Sequence, residues 1–64
     1  MKNKIAEFRK RAGLTQMQLA EQLDISSTHV QAWEHGRRNP TTEYAIRLAR
    51  ILNTTVEELF QIDD

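Results

Sequence analysis

The apolar residues of this chain recur at helical spacing, and nowhere do β-branched residues alternate with polar ones over a strand's length. Ile5, Phe8, Arg9 and Ala12 fall at i, i+3, i+4 and i+7 and Gly13 follows as a stop, so a first helix is predicted from about Asn3 to Ala12. Thr15 is placed to cap a second helix from Gln16 to about Leu23, with Leu19, Ala20 and Leu23 on its inward face. The pattern breaks at Asp24-Ile25, and Ser26 is placed to cap a third helix from about Ser27 to His35, with Val30 and Trp33 facing inward and Gly36 ending it. Pro40 forbids helix at Asn39, and Thr41 or Thr42 caps a fourth helix through Ala45, Leu48, Ala49 and Leu52. A fifth begins near Thr55, where Thr55-Val56-Glu57-Glu58 has capping-box spacing and Leu59, Phe60 and Ile62 supply the apolar side. The expected fold class is therefore all-α, five short helices in one domain over residues 1–64.

A chain of 64 residues buries a small fraction of its unfolded surface, so its stability is marginal and must come from helix packing. There is no cysteine, and His29 and His35 fall on different faces of any helix, so neither a disulfide nor a zinc staple is expected. The apolar runs are short, and the N-terminus lacks the apolar stretch of a signal peptide, which points to a cytoplasmic protein with no membrane partner. No paired carboxylates, nucleophile–base set or phosphate-cradling loop is present, so no enzyme activity, cofactor or small-molecule substrate is expected.

The net charge is zero, which on its own argues against a nucleic-acid partner. Its distribution changes the picture. Residues 1–38 hold seven Lys and Arg against four acids, giving +3, and residues 39–64 hold two against five, giving −3. Such a polarised chain can turn its N-terminal part toward phosphate.

The link between the second and third helices is too short for an antiparallel hairpin, so the two must cross steeply and leave the third standing out as a ridge that fits a DNA major groove. A close crossing requires a small residue where the backbones approach, and Ala20 is that residue. The phrases Gly13-Leu14-Thr15-Gln16, Leu19-Ala20-Glu21-Gln22-Leu23, Val30-Gln31-Ala32-Trp33-Glu34-His35-Gly36 and Leu48-Ala49-Arg50-Ile51-Leu52-Asn53 occur together at a distinctive spacing. In these phrases the chain resembles the lambda-repressor/Cro-type, or XRE, helix-turn-helix family over nearly its whole length, with the motif at residues 16–35. The resemblance implies a compact five-helix domain, binding to double-stranded DNA and assembly as a homodimer. Two positions depart from the family pattern: Asp24, where glycine at positive φ is usual, and Thr42, where an apolar residue is commoner. Asp tolerates positive φ better than most residues, so a modest stability cost and no change of fold are expected.

The resemblance assigns Ser27, Thr28, His29, Gln31 and Ala32 to the face that meets bases. Gln31 and His29 can hydrogen-bond a purine edge, Thr28 can meet a thymine methyl, and Ala32 offers apolar contact. Gln16 resembles a phosphate-contacting glutamine at a helix start, where free amides already favour an anion, and Thr15 can cap and touch phosphate together. Arg37, Arg38 and Asn39 form a basic loop directly after the third helix and within reach of the DNA backbone. Arg9 occupies an apolar stripe where a lone charge is costly, so a structural ion pair with Glu34 is expected, and the resemblance supports it. Trp33 reads as core and Met17 as outward-facing. Val56, Phe60 and Ile62 can complete the core or await a second subunit, and the resemblance favours a dimer interface there. The leading expectation is a homodimeric repressor reading a pseudo-palindromic operator with half-sites about 34 Å apart. The rival is a protein-interaction module, antitoxin-like or a helix-turn-helix domain that has given up DNA, which the zero net charge and short third-helix side chains favour.

Overall fold

The computed structural model describes residues 2–60, which form five helices and no strand: α1 (Ile5–Arg11), α2 (Gln16–Leu23), α3 (Ser27–Glu34), α4 (Thr42–Ile51) and α5 (Val56–Leu59). Ile5, Leu19, Leu23, Val30, Leu48 and Leu59 are the largest fully buried side chains, so all five helices contribute to one core. Each such side chain is worth about 1.5–3 kcal/mol relative to an exposed one. The α2 and α3 helices pack on each other across buried Ala20, α2 and α5 meet α4, and α1 closes on α3. The two ends of the described chain are tied together, because the Lys4 amide donates to the Leu59 carbonyl at 2.8 Å.

Four helix ends share one device. After α1, α2, α3 and α4 a residue takes positive φ, respectively Gly13 (74°), Asp24 (58°), Gly36 (73°) and Asn53 (55°). In each case the next residue's amide bonds back five positions, as in Leu14 to Arg9, Ile25 to Ala20, Arg37 to Ala32 and Thr54 to Ala49, at 2.8–3.1 Å. This is the Schellman arrangement, which satisfies carbonyls the helix leaves open and reverses the chain within two residues. Asp24 thus occupies the left-handed position expected of it, and Asn53 is a fourth such residue that the sequence reading passed over.

The helix starts correct several expectations. The α1 helix begins at Ile5 because Asn3 stays outside it, ahead of the N-cap residue Lys4, its Oδ1 accepting from the Ile5 amide at 3.1 Å while its Nδ2 donates to the Trp33 carbonyl at 2.7 Å. Thr15 and Gln18 form a full capping box, Thr15 Oγ1 accepting from the Gln18 amide and Gln18 Oε1 from the Thr15 amide. Thr41, not Thr42, caps α4. Thr55 accepts from the Glu58 amide, but the Glu58 carboxylate takes the Thr54 hydroxyl at 3.1 Å, so that box is only half formed. Ser26 stands at the N-cap of α3 without capping it, because its hydroxyl pairs with His29 Nδ1 at 3.1 Å. At the other end, α3 stops at Glu34, with His35 as its C-cap.

Candidate DNA interface

The site is organised around α3. Its inward face is Val30 and Trp33, both buried, with the Trp33 ring tilted against Tyr44 at 5.7 Å between centroids. At 100° per residue the opposite face carries Ser27, Thr28, Gln31 and Ala32, of which Thr28 and Gln31 are exposed and Ser27 and Ala32 half-buried. No other segment of the described chain covers Thr28 or Gln31. His29 is exposed too, but on the flank toward α4, where it lines a cleft with Trp33, Arg38, Asn39, Thr41 and Tyr44. Among the five residues assigned to bases, four therefore share one face and His29 stands beside the loop cations.

The loop after α3 is pulled under the helix end by its own backbone, since the Arg37 and Arg38 amides both bond to the Ala32 carbonyl, at 3.0 and 3.4 Å. Arg37, Arg38 and Asn39 are exposed, and neither arginine has an ion-pair partner among the described residues. On the other side of α3 lies the start of α2. Thr15 is exposed there as cap, Gln16 is half-buried as the first helical residue, and the Gln16 and Met17 amides have no intrahelical acceptor. Two positively polarised edges, one of backbone amides and one of guanidinium groups, thus flank an exposed helix face.

Beneath this surface a polar cluster joins α1, α2 and α3. Arg9 Nε donates to Glu34 Oε2 at 2.6 Å and Nη2 to Oε1 at 3.3 Å, with the two side chains only 11% and 7% exposed. Arg9 Nη1 donates to the Leu14 carbonyl at 2.8 Å, and Gln16 Nε2 to Glu34 Oε1 at 2.9 Å. Every buried side-chain nitrogen and oxygen among the described residues has a partner. Sequence spacing pointed to Arg9 and Glu34 but gave no hint that Gln16 joins them.

The residues assigned to a dimer interface divide. Phe60 is 6% exposed and belongs to the core, so it has little surface left to offer; its own helix ends by folding it inward. Val56 is half-buried and lines an apolar groove with Pro40, Ala45, Ile46 and Phe60, where Ile46, a residue the sequence reading did not single out, is 42% exposed. Ile62 lies outside the described residues. Met17, 64% exposed, is the other large apolar side chain facing out among the described residues. No group of three or more metal-ligating side chains occurs among the described residues, and no helix there is long and apolar enough to cross a membrane.

Comparison with known proteins agrees with this architecture. A helix-turn-helix family model matches residues 5–59. An HTH-type transcriptional regulator of Archaeoglobus fulgidus is 36% identical over 64 residues, covering 100% of this chain and 91% of the relative. The cryptic phage CTXphi transcriptional repressor RstR of Vibrio cholerae is 34% identical over 59 residues, 92% of this chain and 53% of the repressor. The HTH-type transcriptional activator BcrR of Enterococcus faecalis is 38% identical over 56 residues, 88% of this chain and 28% of the activator. With all five helices inside the matched span, the chain belongs to the helix-turn-helix family of DNA-binding transcription regulators, of the lambda-repressor/Cro type.

Proposed function

We propose that the chain is a repressor that binds a pseudo-palindromic operator as a homodimer, with α3 of each copy in the major groove. The observation that carries this reading is the exposed Thr28–Gln31 face of α3, flanked by the open amides at the start of α2 and by Arg37 and Arg38, which have no ion-pair partner among the described residues. Thr28, Gln31, Ser27 and Ala32 meet base edges, and His29 contacts the DNA from the flank. Thr15, Gln16, Arg37, Arg38 and Asn39 hold the sugar-phosphate backbone and set the register. The second copy docks through Ile46 and Val56 across the apolar groove, where burying a half-exposed isoleucine twice over supplies a driving force.

The test is selection of bound sites from random duplex DNA, followed by gel shift at two salt concentrations in the presence of competitor. Operator binding predicts an enriched pair of half-sites about one helical turn apart and an affinity that falls steeply with salt yet survives competitor. Weak binding abolished by competitor, with no enriched sequence, would instead favour the protein-interaction module that the zero net charge allows.

A further inference from the structure

We infer that Glu34, although too deep to touch DNA, is a positioning residue for the Gln16 phosphate contact; this rests on the DNA-binding reading above. Glu34 Oε1 accepts from Gln16 Nε2 at 2.9 Å, while Arg9 holds both carboxylate oxygens from the other side at 2.6 and 3.3 Å. Arg9 is itself fixed by the Leu14 carbonyl at 2.8 Å. The carboxylate therefore has one orientation, and it dictates that of the glutamine amide. A flipped amide would set its carbonyl oxygen against the carboxylate, two acceptors with no proton between them. With the nitrogen turned to Glu34, one N–H is engaged and the second is left to donate outward, beside the open amides of the first turn of α2. Without the carboxylate the amide can present either end, and the carbonyl end repels phosphate. Because Arg9 neutralises Glu34, this orientation is imposed without leaving a bare negative charge next to the DNA.

The sign of one substitution separates this role from two simpler ones. Removing an acid near DNA should tighten binding if only long-range electrostatics matter. Loss of packing alone should weaken binding equally whatever stands at position 16. Positioning predicts that Glu34→Gln weakens binding in the wild-type background and not in the Gln16→Met background. The measurement is the dissociation constant of the full chain for a 20-base-pair duplex selected by the wild-type protein, taken at 10 °C and fixed salt and corrected for folded fraction by circular dichroism. The expected values are a loss of roughly 3- to 10-fold in the first background, the size of one weakened charge-assisted hydrogen bond, and no loss or a slight gain in the second. Tightening in both backgrounds, equal weakening in both, or no change in either overturns the inference while leaving the DNA-binding reading intact. A wild-type protein that retains no duplex at low salt removes both.

If Glu34→Gln does not fold, the wild-type protein supplies the second readout through the two side-chain amide protons of Gln16 in an NMR spectrum. The inference expects one of them hydrogen-bonded and unmoved by the selected duplex and the other shifted by it. Neither proton protected from exchange with water in the free protein, or both shifting together on DNA addition, overturns it.

Discussion

Replacing Glu34 by alanine should come close to unfolding the protein, and the size of the loss follows from the polar cluster. The substitution removes the acceptors at 2.6 and 3.3 Å from Arg9 and at 2.9 Å from Gln16, leaving a guanidinium whose only remaining partner among the described residues is the Leu14 carbonyl at 2.8 Å. The Arg9 side chain is 11% exposed, so water replaces little of what is lost. Breaking a buried pair from one side costs about 3–5 kcal/mol. At ~0.05–0.15 kcal/mol per residue, a 64-residue chain has only about 3–10 kcal/mol in total. With a shift of about 4–8 °C for each kcal/mol in a domain this small, Tm should fall by at least about 12 °C. Far-UV circular dichroism during thermal and urea unfolding measures it. Replacing both partners, Arg9→Met with Glu34→Leu, removes the stranded charge and should return stability to within about 1 kcal/mol of wild type, because an apolar pair of similar volume substitutes well for a buried ion pair. A loss below about 1 kcal/mol for Glu34→Ala, or one erased by 1 M salt (about a 3 Å Debye length), is the behaviour of a surface pair and would refute the reasoning.

Other substitutions test separate parts of the account. Asp24→Gly relieves a non-glycine residue held at φ 58° and should raise stability by up to about 1 kcal/mol, read as a higher urea midpoint at unchanged slope; a lower midpoint would mean that the aspartate contributes something the turn does not explain. Ser26→Ala should cost less than about 0.5 kcal/mol, below the usual N-cap penalty of ~1 kcal/mol, since the hydroxyl serves His29 and not a helix amide; a full cap penalty in chemical denaturation would contradict that pairing. Gln31→Ala should relax base preference at one position in each half-site by about 1–3 kcal/mol without altering the salt dependence, and a uniform loss across sequences would move Gln31 to the phosphate group. Ile46→Glu places a charge in the apolar groove and should shift sedimentation from dimer to monomer with folding retained; an unchanged sedimentation coefficient would put the dimer contact elsewhere.

The fold was legible because its signals are local. Helical spacing of Leu19, Ala20, Leu23, Val30, Leu48 and Ala49 located the buried faces, and Gly13, Asp24 and Gly36 marked three of four left-handed stops. Asn53 escaped notice because asparagine is compatible with so many conformations that only the backbone singles it out. Thr15 was read as a cap, but its full box with Gln18 was not, whereas the box read at Thr55-x-x-Glu58 is only half formed. Caps failed where a second acceptor or donor stood within reach: His29 drew the Ser26 hydroxyl, and Thr54 drew the Glu58 carboxylate. Of the candidate site, the outward side of α3 followed from helical periodicity, and its assignment to bases from the family resemblance. The Gln16–Glu34 bond, the placing of His29 beside Arg38, and the burial of Phe60 with exposure of Ile46 depend on how distant segments meet, which no local pattern encodes.

The central claim is that the outer side of α3 and its two flanks form one surface for DNA, and amide shift mapping during titration with a selected duplex tests it most directly. The account predicts perturbations concentrated at residues 15–17, 27–32 and 37–39, with the groove at Ile46 and Val56 unaffected by DNA once the dimer has formed. Shifts clustered on that groove, with the Thr28–Gln31 face unmoved, would contradict it.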